Sequence, residues 1–95
     1  MKIQHEKRLW KVYQKNIGTY SPIELMAYVC ANLYANYCTP GYAILWIGGG
    51  WSAHMMDAKP MGGVKVELYQ SDSDGHVRNC YKAHWWISRW WKYEN

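Results

Sequence analysis

The sequence predicts an α+β fold: one N-capped helix, about 22–37, packed on an antiparallel sheet of four to five strands. Three observations carry this. Residues 21–24 read as a helix start followed by apolar residues at helical spacing. Short runs rich in β-branched and aromatic residues flank that segment, and residues 64–87 have the pattern of one long hairpin.

The helix is the most clearly written element. Ser21 is a favourable N-cap, Pro22 suits the first helical position, and Glu24 completes a capping box. Ile23, Met26, Ala27, Cys30, Leu33, Tyr34 and Tyr37 make one apolar stripe for the sheet. Pro40 disfavours helical geometry just before it, so the helix ends in Cys38-Thr39-Pro40-Gly41. The other face (Tyr28, Ala31, Asn32, Ala35 and Asn36) carries no charge. A solvated helix normally shows Lys and Glu there, so this face is expected to be covered and to support self-association.

The strands are expected at about 8–14, 42–47, 51–56, 64–70 and 76–87. Residues 8–14 alternate Trp10 and Val12 against Arg8 and Lys11, with Leu9 and Tyr13 on the second face. A helix from residue 2 is the alternative, and the β-branched and aromatic centre favours a strand. Residues 42–47 are a continuous apolar run, as in a strand buried on both faces. Gly48-Gly49-Gly50 turns the chain into 51–56, and Asp57–Gly63 is a loop. In the hairpin, Val64, Val66 and Leu68 share one face; Ser71-Asp72-Ser73-Asp74-Gly75 has turn chemistry. On the returning strand Val77, Tyr81, Ala83, Trp85 and Ile87 share one parity, and His76, Arg78, Cys80, Lys82 and His84 the other. Keeping like faces together and Lys65 away from Lys82 predicts Leu68 opposite Val77, Val64 opposite Tyr81, and Glu67 opposite Arg78.

Ninety-five residues, with 49% hydrophobic and 19% charged, suit a single domain spanning 1–95. Seven Trp and nine Tyr replace an absent Phe, and each brings a polar atom that needs a partner. No stretch resembles a signal peptide or a membrane span, and Cys30, Cys38 and Cys80 are an odd number; a cytoplasmic protein with reduced thiols is expected. The net charge of +4 is concentrated in residues 1–16 and 76–95, while 17–75 are net negative. If those ends pair as neighbouring strands, they form a basic face.

Familiar chemical motifs fail on inspection. His5-Glu6 starts a zinc-protease pattern, but Leu9 stands where the second His belongs. Gln70-x-Asp72-x-Asp74-Gly75 resembles a calcium loop, yet its first position is Gln and its twelfth is Tyr81. Gly48–Gly50 lacks the Lys-Ser/Thr of a phosphate loop. His76, Cys80 and His84 share a strand face but are spaced four apart, about 13 Å along the chain, too far to share one metal ion. Cys80 paired with His76 or His84 is the arrangement an enzyme could use, but nothing in the sequence orders nucleophile, base and orienting group. No metal, cofactor or catalytic activity is therefore expected.

Four Trp in the seven residues 85–91 cannot all point inward from a strand. Trp beside Arg and Lys suits a protein hot spot and also base stacking beside phosphates. The candidate partner-binding residues are Trp85, Trp86, Arg89, Trp90, Trp91, Lys92, Arg78 and Lys82, with Tyr28, Asn32 and Asn36 on the uncharged helix face. The expected function is a small protein-binding module, an inhibitor or regulator that masks a partner's surface. Compact aromatic-rich domains of this style occur among phage and mobile-element inhibitors, a likeness of size and style alone. The alternative is a basic nucleic-acid-binding domain, and a small Cys/His enzyme ranks third.

Overall fold

The computed structural model describes Gly18 and residues 20–39, 41–60 and 62–86. Helix α1 (Pro22–Tyr37) precedes β1 (Tyr42–Gly48), β2 (Trp51–Asp57), β3 (Val64–Ser71) and β4 (Val77–Trp85). The strands form one antiparallel sheet in the order β1-β2-β3-β4. One helix on a four-stranded antiparallel sheet is the expected α+β arrangement. The strand expected at 8–14 lies outside the described residues, as does the end of the one expected at 76–87.

The helix begins as its sequence dictates. Ser21 Oγ accepts from the Glu24 backbone N–H at 3.3 Å and donates to Glu24 Oε1 at 3.0 Å. Its packing face is rotated from the expected stripe. Ala27, Ala31, Ala35, Cys30 and Tyr34 join the core with Ala53, Met55, Val64, Val66 and Leu68. Small side chains on the helix bring its axis close to a sheet whose own inward residues are larger. Tyr34 is fully buried, and its hydroxyl accepts from the Gly41 N–H at 2.7 Å, tying the helix to the start of β1. Burial, with Asp57 nearby, pushes its pKa above the ordinary tyrosine value.

The helix lies over β2, β3 and β4, leaving the inner side of β1 lightly covered. The expectation that residues 42–47 are buried on both faces is therefore corrected. Tyr42, Ile44, Trp46 and Ile47 are exposed, while Ala43 and Leu45 are half-buried. A continuous apolar run marks a strand; it does not say what covers each face.

The hairpin turns follow their glycines. Gly49 and Gly50 have φ of 61° and 80°, the two positive values of a type I′ connection. A Cβ at Gly50 would collide with the Ser71 carbonyl oxygen, and one at Gly63 with the Trp85 carbonyl oxygen, so both strands approach too closely for any side chain.

The β3–β4 register differs from the expected one by four residues. Leu68 faces Tyr81, Val64 faces Trp85, and Glu67 faces Lys82. Asp72 is the cause. Its Oδ1 accepts from the N–H groups of Asp74 and His76 at 2.9 and 3.0 Å, and Oδ2 accepts from Arg78 Nε at 2.7 Å. The Asp72 N–H also reaches the His76 carbonyl at 3.0 Å, so the turn closes around residues 73–75, with Gly75 at φ 84°. The expected register centred the turn nearer Asp72 and gave Glu67 to Arg78. In the fold Arg78 pairs with Asp72 at 2.6 Å, and Lys82 lies 3.7 Å from Glu67.

Two outcomes test this architecture. Leu68→Ala, at a fully buried position, is expected to lower stability by about 2–5 kcal/mol in urea denaturation. The His76 backbone N–H and then the Arg78 guanidinium hold the Asp72 carboxyl below its ordinary range. A depressed folded pKa means the stabilisation is present at neutral pH and is lost as pH falls through that low value. Melting temperatures taken from neutral to strongly acidic pH should therefore show a steeper acid decline in the wild type than in Asp72→Asn.

Candidate functional site

Period-two alternation divides the sheet into two faces. Trp51, Ala53, Met55, Val64, Val66, Leu68, Tyr81, Ala83 and Trp85 pack toward the helix. The opposite parity carries Tyr42, Ile44 and Trp46 of β1, Ser52, His54 and Met56 of β2, Lys65, Glu67 and Tyr69 of β3, and Arg78, Cys80, Lys82 and His84 of β4. Trp86 follows at the end of β4, 66% exposed, with its ring 4.4 Å from that of His84. This outer face is the candidate site.

The expected Trp cluster is split by the sheet. Trp85 turns inward, its ring centroid 4.9 Å from Tyr28 and 5.3 Å from Tyr20, and belongs to the core rather than to a docking surface. Trp86 turns outward. Arg89, Trp90, Trp91 and Lys92 lie outside the described residues.

The uncharged helix face is also corrected as a contact surface. Asn32 is 0% exposed, and its Nδ2 donates to the Tyr28 carbonyl at 3.0 Å. Asn36 makes the same bond to Asn32 at 2.9 Å, and Ala31 and Ala35 are buried. Tyr28 is half-buried against Tyr20 and Trp85. The face lacks charge because it is interior, so it is not the self-association surface expected of it.

At the centre of the outer face, His54 is held from three sides. Its Nδ1 meets the Tyr42 hydroxyl, its Nε2 lies 3.5 Å from Ser52 Oγ, and Tyr69 packs edge-on at 5.1 Å. Sequence reasoning missed this cluster, although Ser52 and His54 share a strand parity and so must share a face. It has the outline of a nucleophile and base. Ser52 Oγ, however, stands at the outer limit of hydrogen-bond distance from Nε2, and Nδ1 meets a hydroxyl where a base would be oriented by a carboxylate. Ser52 is also buried. The cluster braces the three strands it joins.

The Cys/His constellation does not assemble. Cys80 is exposed opposite Tyr69, His84 Nε2 bonds the Gly62 carbonyl at 2.8 Å, and His76 lies in the turn. Asp72, Asp74 and His76 bring possible ligand atoms within 4.8 Å of one another, but the Asp72 oxygens are already engaged by the turn amides and Arg78. Turn formation accounts for that grouping.

The outer face is nearly neutral despite the basic chain. Arg78 is paired with Asp72 and Lys82 with Glu67. Such exposed pairs add about 0–1 kcal/mol each to stability, so their main effect here is to cancel field. Among the described residues, Lys65 is the cation of this face without a carboxylate in ion-pair range. No described helix is long and apolar enough to cross a membrane.

No known protein family matches the chain, and neither does any curated protein or solved structure.

The thiols provide a check on the two faces. Burial pushes the Cys30 thiol up to about 12, whereas Cys80 is exposed on the outer face. In the native protein at mildly alkaline pH, Cys80 should be alkylated quickly and Cys30 only on unfolding; peptide mapping by mass spectrometry distinguishes them.

Proposed function

We propose that this chain is a small protein-binding module that masks a partner's surface, acting as an inhibitor or regulator through the β3–β4 half of its outer sheet face. The observation that supports this reading best is Trp86, two-thirds exposed with its ring tilted against that of His84. A large indole next to a strand end offers apolar area on few rotatable bonds, and Trp, Tyr and Arg dominate protein hot spots. Further along the hairpin on the same face come Lys82, then Tyr69 and Cys80 directly opposite each other, then Arg78. Arg78 and Lys82 act as rim charges that steer and orient a partner more than they hold it.

A nucleic-acid reading draws on the same aromatic side chains but is weakly supported by the charges. Affinity for a single strand falls with salt at a slope of about 0.7 per phosphate neutralised. A face whose described cations are mostly paired offers few such contacts. The Cys/His enzyme reading has no assembled constellation behind it.

Affinity capture from the source cells, followed by titration of the captured protein, tests the proposal. Trp86→Ala is expected to weaken binding by about 30-fold or more, with the melting temperature unchanged within a few degrees. Lys82→Ala should slow association and reduce its salt dependence. Loss of fold in Trp86→Ala, or binding to a random oligonucleotide that collapses with added salt, would overturn the reading.

A further inference from the structure

We infer that the exposed edge of β1 is a self-pairing surface, where two copies of this chain join antiparallel and extend their sheets across a two-fold axis. This goes beyond the proposed docking face and rests on different residues. Among the described residues, β1 and β4 are the two edges of the sheet.

The two edges differ in chemistry. β4 presents Arg78 and Lys82 along its length, the kind of charge that discourages edge-to-edge association. β1, Tyr-Ala-Ile-Leu-Trp-Ile-Gly, has no charged residue and no proline. Tyr42, Ile44, Trp46 and Ile47 nonetheless stand exposed there, with Trp46 78% and Ile44 47% accessible. An uncharged strand that has no second neighbour among the described residues and carries exposed large apolar side chains is a template for another strand.

Self-complementarity selects a second copy as the occupant. Centring a two-fold axis on Ile44 sets Ile44 against Ile44 of the second copy and Tyr42 against the second copy's Trp46 on the outer face. On the inner face it sets small Ala43 against the second copy's larger Leu45. Aromatic pairs and large-with-small pairing are favourable cross-strand combinations, and no like charges meet. The register uses residues 42–46, before the irregularity between Trp46 and Gly48 where the hairpin turns.

The inner side provides an independent reason. Because the helix sits over the other three strands, an apolar groove of about 630 Å³ lies between its first half and β1. Pro22, Leu25, Met26, Val29, Leu45 and Ile47 line it. A second β1 strand continuing the sheet brings apolar side chains to the open side of that groove in both copies at once.

Sedimentation equilibrium on the full chain, from low micromolar to near-millimolar concentration, tests the inference. The mass should rise from 11.2 kDa toward twice that value. Ile44→Lys and Ile44→Glu should each raise the dissociation constant about 30-fold or more, because like charges then meet on the axis. Mixing these two variants should restore association as a heterodimer. Trp86→Ala should leave self-association unchanged, which separates this inference from the docking face. A wild-type monomer at every concentration overturns it, as does association that survives both Ile44 variants or that mixing them fails to restore. Protection of the edge-facing β1 amides, those not bonded to β2, in hydrogen exchange independent of concentration would show the edge already covered within one chain and would equally overturn it.

Discussion

The close approach of an alanine-lined helix to the sheet is the constraint from which the rest of this structure follows. Ala27, Ala31 and Ala35 leave little side chain between helix and sheet, so the space is filled by Met55, Val64, Val66 and Leu68 from below and Tyr34 from above. One helix, about 10 Å across, cannot cover four strands set about 4.8 Å apart. It covers β2, β3 and β4, and the Tyr34 hydroxyl bound to the Gly41 amide fixes where the chain leaves it for β1. The groove beside β1 and the exposure of that strand's apolar side chains are consequences of this offset. So is the burial of the uncharged helix face, since the same small residues that permit contact also remove the charges a solvent-facing helix would carry.

Much of this fold was legible in the chain because local rules and global packing agree. Ser21, Pro22 and Glu24 mark the helix start by satisfying backbone groups that any helix leaves open. The glycine turns mark hairpins because positive φ is costly for other residues. What failed was information carried by tertiary contacts. An alanine and asparagine face looks like a weakly polar surface on paper, and only packing in the folded chain makes most of it interior. The apolar run at 42–47 announces a strand, but coverage of that strand depends on where the helix lies. In the β3–β4 hairpin, face parity was readable, whereas the choice among registers of equal parity was made by the Asp72 carboxylate gathering amides that pattern alone does not reveal.

The candidate site was legible to a similar, partial degree. Trp86 and Lys82 sit on the outer face, as alternation requires, and alternation also sends Trp85 inward. The net positive charge suggested a basic surface, yet on the described sheet face Asp72 and Glu67 sit against the cations. Composition counts charges; it does not place them next to their partners. The His54 cluster was invisible for a different reason. It needs Tyr42 and Tyr69 from neighbouring strands, so it exists only once the sheet order is known.

The close backbone approaches at Gly50 and Gly63 also bear on kinship. At each position a side chain of any kind would strike a carbonyl oxygen of the neighbouring strand, and each glycine adopts a backbone angle unfavourable to L residues. Core side chains can drift as long as volume is conserved, and an exposed face can be rebuilt for a new partner. These two sites have no such freedom. A chain that shares this ancestry should keep two glycines thirteen residues apart, one ending a hairpin turn and one opening the next strand, long after the rest of the sequence has ceased to be comparable.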